Sequence, residues 1–331
     1  MALLASLFFG FIPALLFAYF LYWLDRYEKE PKLLLGGVFM WGVVVAAGGA
    51  FIINTVLQIG MQIFVQDYFI SDLAGGSLIA PLVEEVLKGL AVLAVFLVFR
   101  HEFDSVLDGI IYAGVAALGF AATENTYYIY NYGFLESGWT GLWNLVFVRV
   151  ILVGWQHPFY TAFIGIGLAL ARLNRSWFIK ILAPLAGFSL AMFTHGMHNT
   201  LAVFITGTLP GDIIFSALDW SGWFFMFLFI LYVTWHERKL MLAHLWEEVQ
   251  AGRIDQTQYR TASSAWAQMS ARVAALFSGR YLKTARFHQV CGELAHKKNQ
   301  LQRLGDEAGN QATIRRLQEE LAGLAPLSRA I

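Results

Sequence analysis

The stretch Ala80-Pro81-Leu82-Val83-Glu84-Glu85-Val86-Leu87-Lys88-Gly89-Leu90 constrains this chain more than any other. Apolar residues carry it back to Leu78 and forward to Phe99, so two carboxylates and an ammonium lie inside a segment that reads as membrane-spanning. Charges at that depth are costly and are rarely left facing lipid. On a helix Glu84 and Lys88 are four residues apart and Glu85 and Lys88 three, so one lysine can reach either acid. Two acids against one base leave a carboxylate unbalanced, and such groups gather where chemistry is done. The plain alternative is a structural ion pair that locks helices together.

Composition agrees with a membrane setting. Of the 331 residues, 58% are hydrophobic and 14% charged, whereas a soluble domain is about half apolar and about a quarter charged. The expected fold is therefore an all-α, polytopic membrane helical bundle. A span needs about twenty mainly apolar residues, and about seven such stretches are found: 2–24, 35–58, 76–100, 106–130, 142–170, 178–205 and 213–235. The first begins without a basic flank and is too long for a signal-peptide core, so it is read as a retained span. One cysteine, Cys291, excludes a disulfide framework and any paired-cysteine metal or redox site.

Charge divides the chain. Up to residue 235 acids outnumber bases; from 236 to 331 bases outnumber acids, and this part holds about half of all the charges. The reading is a transmembrane bundle over 1–235, with its motifs within 76–205, followed by a small cytoplasmic helical tail over 236–331. In the tail, 236–250 is periodic and amphipathic, and Asp255 is a candidate N-cap. Residues 287–304 and 312–324 look like two helices joined by 305–310. The loops carrying Arg26, Lys29 and Lys32, then Arg100, then Arg172, Arg175 and Lys180, then Arg238 and Lys239, alternate with loops that carry no Lys or Arg. The positive-inside rule then places the N-terminus outside and the C-terminus in the cytoplasm.

Four spans hold polar groups at a common depth, between the midplane and the outer surface, at about 1.5 Å per residue. They are Glu84 and Glu85 on span three, Glu124 and Asn125 on span four, Gln156-His157-Pro158 on span five, and His195 with Asn199 on span six. Arg149 lies nearer the outer end of span five, and His198 is turned somewhat away from the face of His195 and Asn199. Pro158 should kink span five in its middle. The small residues of span four, including Gly109, Gly114 and Gly119, describe close helix packing. Carboxylates and imidazoles together suit water activation, and histidines with a carboxylate can hold zinc with a position left open. An asparagine amide can support an oxyanion. The same intramembrane acids and histidines also suit a proton-coupled transporter, although no inverted repeat is seen, or a catalytically inactive scaffold. No nucleic-acid partner is expected.

Glu84-Glu85-x-x-Lys88, then Phe120-x-x-x-Glu124-Asn125, then His157, then His195-x-x-x-Asn199 resemble the four ordered motifs of the PrsW family of intramembrane proteases. They are similar, more distantly, to those of the type II CAAX prenyl endopeptidases and the Abi proteins. Those relatives carry Arg in the first motif and His at the end of the second, where this chain has Lys88 and Glu124. The resemblance implies an endopeptidase embedded in a bacterial plasma membrane, acting on single-span membrane proteins such as anti-sigma factors. It implies that Glu84 or Glu85 activates the water while Lys88 holds the other acid, and that Asn199 supports the oxyanion. His157 and His195 then orient the water or bind a zinc ion, with Glu124 as third ligand or orienting base. Both a metal-dependent and a metal-free, glutamate-dependent reaction are compatible with it.

The loop alternation fixes an expected topology. A reporter fused after Arg238 should be cytoplasmic and one inserted in the 131–141 loop should be outside; both on one side would sink the seven-span reading.

Overall fold

The computed structural model describes residues 1–306 and 309–328, and these residues are almost entirely helical. The helices are α1 (Ala2–Leu24), α2 (Lys32–Met40), α3 (Ala47–Phe64), α4 (Tyr68–Ala74), α5 (Ala80–Val98), α6 (Val106–Tyr128) and α7 (Leu135–Val146). They continue with α8 (Gln156–Arg172), α9 (Trp177–Ile205), α10 (Leu209–Gln250), α11 (Gln256–Ala262), α12 (Ala265–Phe277), α13 (Tyr281–Leu304) and α14 (Asn310–Ser328). Among the described residues five helical stretches are long and apolar enough to cross a membrane: Ala2–Leu24, Lys32–Phe64, Val106–Arg172, Trp177–Ile205 and Leu209–Gln250. The expected fourth and fifth spans both fall in the third of these. The expected third falls on α5, which carries Glu84, Glu85 and Lys88 within its 19 residues.

The chain forms two compact units, one of residues 1–22, 31–172 and 178–228, the other of 23–30, 173–177 and 229–331. In the first unit α6 is the central helix, buried along almost its whole length. It starts at a capping box in which Ser105 accepts from the Asp108 backbone and Asp108 accepts from the Ser105 backbone. This reciprocal pairing satisfies donors that a buried helix end would leave bare. The small residues of α6 let neighbours come within backbone contact. A Cβ on Gly109 would meet the Gly165 carbonyl oxygen of α8 at 2.3 Å, and one on Gly119 would meet the Phe39 carbonyl oxygen of α2 at 2.1 Å.

Between α2 and α3 the helix widens to a π-helical turn at Trp41–Ala46. Such a turn frees carbonyls from the regular ladder. The Val43 carbonyl accepts from Thr123 Oγ1 of α6 at 2.9 Å, and Trp41 Nε1 donates to the Leu87 carbonyl of α5 at 2.9 Å. The expected fifth span is broken rather than kinked. A π-helical turn, Phe147–Leu152, ends at Val153, and α8 starts afresh at Gln156. Pro158 therefore lies in the first turn of α8, where its missing N–H costs nothing. The break puts Gln156 and His157 at the start of a helix instead of in the middle of one.

The second unit has its own core of Tyr27, Met241, Leu245, Phe287, Val290, Leu294 and further apolar residues. Asp255 forms the expected N-cap, in a capping box with Gln258. The periodic stretch 236–250 is the end of α10, and the two expected tail helices are α13 and α14, tied by Arg286 to Glu320 at 2.6 Å. Of the connector expected at 305–310, residues 307 and 308 lie outside the described residues.

Gly109→Val should overpack α6 against α8 and cost about 1–3 kcal/mol. Gly36→Ala in α2, where an added Cβ has nothing within 4 Å, should be neutral or stabilising. Thermal unfolding of the purified protein in detergent checks both.

Candidate active site

The site is built from α5, α6, α8 and α9. Glu85 and Lys88 face inward from α5 and are wholly buried, while Glu84 is 7% exposed. Lys88 Nζ lies 2.5 Å from Glu85 Oε1 and 3.8 Å from Glu84 Oε2, so the lysine has chosen between the acids. Glu85 is saturated. Its Oε1 also lies 3.0 Å from His195 Nδ1 of α9, and its Oε2 accepts from Thr161 Oγ1 of α8 at 2.8 Å. Glu84 Oε2, by contrast, is buried without a hydrogen-bond partner, and the nearest imidazole nitrogen, His195 Nε2, is 3.8 Å away.

Phe120, the aromatic four residues before Glu124, supports the ammonium. Its ring lies 4.5 Å from Lys88 Nζ and 5.2 Å from the His157 ring. Cation–π contact of this kind is strengthened where water is excluded. His157 Nδ1 is 3.3 Å from Lys88 Nζ and its Nε2 is 2.8 Å from Glu124 Oε2. Glu124 Oε2 also accepts from Arg149 Nη2 at 2.5 Å, and Arg149 Nε donates to Asn125 Oδ1 at 2.9 Å. The Tyr160 ring stacks on His195 with centroids 4.6 Å apart. Asn199 Nδ2 donates to the Gly76 carbonyl at 2.8 Å, which ties α9 to the segment ahead of α5.

All seven residues singled out in the sequence thus belong to one region. Glu84, Glu124, His157, His195 and Asn199 line a cavity of about 340 Å³, and Glu84 and Glu124 also line a wider cleft of about 660 Å³ beside α3. Lys88 and Glu85 lie behind this surface. Sequence reading missed Arg149 as a partner of Glu124, Thr161 and Tyr160 as supports, and the position of His198. Rather than turning away, His198 lines the same cavity, with Nδ1 3.0 Å from Asp219 Oδ1 of α10 and 3.2 Å from Gln156 Nε2. Trp223 Nε1 in turn donates to Gln156 Oε1 at 3.0 Å. Only the adjacency of Gln156 to His157 and the intramembrane position of Arg149 hinted at these.

The metal donors expected from the sequence are Glu124, His157 and His195. The ligand atoms that converge, all within 4.8 Å of one another, belong to Glu84, His157 and His195. Glu124 is instead engaged by Arg149 and by one nitrogen of His157. Each imidazole has one nitrogen on a carboxylate, His157 on Glu124 and His195 on Glu85. That is how outer carboxylates orient zinc-bound histidines. With the orphaned oxygen of Glu84, two histidines and a carboxylate fit zinc with a position left open. Lys88, close to His157 Nδ1, would have to turn fully towards Glu85 to admit an ion.

The family model described as "PrsW family intramembrane metalloprotease" matches residues 30–234. A protein named "Protease PrsW" from Geobacillus kaustophilus is 27% identical over 196 residues, which cover 58% of this chain and 77% of that relative. One of the same name from Bacillus subtilis is 26% identical over 228 residues, 68% of this chain and 89% of the relative. A third, from Clostridioides difficile, is 32% identical over 120 residues, 36% of this chain and 48% of the relative. No solved structure matches the chain.

The two neighbouring acids should differ in their effect on stability. Glu85→Gln or Lys88→Met breaks a buried pair and should cost about 3–5 kcal/mol. Glu84→Gln changes a carboxylate that has only 3.8 Å ion-pair contacts through an oxygen with no hydrogen bond, and should leave the melting temperature in detergent much less changed. Equal losses would mean that Lys88 serves both acids alike.

Proposed function

This chain belongs to the PrsW family of intramembrane proteases, and from that premise we propose that Glu84 is the carboxylate that engages the hydrolytic water, while Glu85 is held by Lys88 as a fixed support. The observation that carries this is the inequality of the two acids. Glu84 Oε2 is buried, unbonded and on the cavity wall, whereas both oxygens of Glu85 are taken. An unsatisfied buried carboxylate oxygen has an unused acceptor site that a water can fill.

In this reading Glu84 takes a proton from the water as its oxygen bonds to the scissile carbonyl carbon. The same proton then passes to the amide nitrogen as the carbon–nitrogen bond breaks. His195, fixed through Nδ1 by Glu85, presents its other nitrogen towards Glu84 and orients the water. One amide hydrogen of Asn199 is spent on Gly76, and the second is left for the developing oxyanion. Arg149 holds Glu124, and Glu124 holds His157, so this trio fixes one cavity wall. Zinc, where bound by Glu84, His157 and His195, would lower the pKa of the water that these residues position.

The substrates proposed are single-span membrane proteins, regulators of the anti-sigma-factor kind among them, cut where their own helix ends or unwinds. The proposed setting is the bacterial plasma membrane, with the C-terminus cytoplasmic. Such a substrate fits the wide cleft beside α3, because a peptide bond must leave the helical ladder before water can reach its carbonyl.

The test is co-expression with candidate single-span proteins, following fragment release by gel. Glu84→Gln should abolish cleavage, a loss of at least about a hundredfold, while the protein accumulates normally. Cleavage at the wild-type rate by Glu84→Gln would overturn the assignment. Elemental analysis of purified protein decides the metal: about one zinc per chain, lost in His195→Ala, supports the donor set above. Full activity in protein stripped of metal leaves the glutamate reaction alone.

A further inference from the structure

The second unit presents an apolar face that its own core does not use. Along α12, Trp266, Ser270, Val273, Ala274 and Phe277 fall at intervals of four, seven, eight and eleven residues and so share one side of the helix. Trp266 is 74% exposed, Phe277 90%, and Leu282, just past the Gly279 turn, 81%. The opposite side anchors the helix. Gln268 and Ala275 are buried, and Gln268 Nε2 donates to the Ala262 carbonyl at 2.7 Å. Large apolar side chains at this exposure, on a helix whose opposite side is buried, point to a covering surface.

Charge says which surface. From Gln256 to Gly292 there is not one acidic residue, while Arg260, Arg272, Arg280 and Lys283 lie in the same stretch, and a further base, Arg286, is taken up by Glu293 and Glu320. Lys283 is exposed next to Leu282. An apolar stripe with an indole, in a stretch whose own charges are all positive, is how a helix lies in a lipid interface. Indoles favour the headgroup level, and basic side chains favour anionic lipid. Connectivity supplies the proximity. The unit includes residues 23–30 and 173–177, which directly adjoin the apolar helices α1 and α9. A soluble partner protein has no corresponding feature in its favour.

We propose that α12 and the turn after it form a lipid-binding surface, which seats the C-terminal unit on an anionic membrane face through Trp266, Val273, Phe277, Leu282 and Lys283. This inference does not depend on the catalytic reading.

The native cysteine permits a direct test on the full chain. Cys291 is fully buried, and burial pushes its thiol well above the ordinary value, so it stays inert to maleimides. Ala274→Cys then carries a single environment-sensitive fluorophore, and Ala312→Cys on α14 gives a control. Each is reconstituted in discs of phosphatidylcholine, with or without a third of phosphatidylglycerol, and quenched by lipids brominated on the acyl chain. At position 274 quenching should be at least about twofold stronger in the anionic discs. It should fall with Lys283→Glu and with the pair Phe277→Ser and Leu282→Ser, while position 312 stays unquenched. Those two serine changes replace exposed side chains, so the fold is retained. No lipid quenching at 274 in either disc, or equal quenching at 274 and 312, overturns the proposal. A label at 274 that is shielded from water yet untouched by brominated lipid would show protein, not lipid, on this face, and also overturns it.

Discussion

The contact between Lys88 and Glu85 is the constraint on which the site depends. Burying a carboxylate is costly unless its oxygens are satisfied, and at Glu85 three helices supply the partners: Lys88 from α5 itself, Thr161 from α8 and His195 from α9. One acid therefore works as a bracket that registers the helices on each other. Its neighbour, one residue earlier and turned by a hundred degrees or so around the helix, is left with an oxygen facing a cavity. The chemical difference between two identical side chains comes from this allocation.

The bracket needs helices close enough for short side chains to reach across. Glycine supplies that closeness at Gly109 and Gly165, where each residue's missing Cβ makes room for the other's carbonyl. The break before Gln156 has a related effect. It starts α8 anew, so that His157 stands between Lys88 and Glu124, while Arg149 on the preceding π-helical turn holds Glu124 from the other side. Imidazoles pinned by carboxylates at one nitrogen have a defined tautomer and direction at the other. That preorganisation suits a site that must polarise a water or hold a metal.

Much of this was legible in the sequence. Two acids and a base in an apolar run cannot face lipid, so a polar cluster inside a helical bundle followed from residues 80–90 alone. The spacing of Glu85 and Lys88, the small-residue face of α6 and the N-cap at Asp255 are local features. They are written in neighbours three or four positions apart, and helical geometry converts such spacing directly into contact. The common depth of Glu84, Glu124, His157 and His195 could likewise be counted along each span.

What the tertiary structure alone decided is how the partners were shared out. Whether Lys88 takes Glu84 or Glu85 depends on Thr161 and His195, which lie far away in the chain. Glu124, expected as a metal ligand, is instead engaged by Arg149 and His157, which lie on either side of a break that no residue count predicts. His198 entered the cavity wall for a similar reason: Asp219 and Gln156, on two other helices, draw its ring towards them. Sequence spacing fixes which side of a helix a residue occupies. The rotation of each helix against its neighbours, set by backbone packing summed over the whole bundle, determines what that side meets.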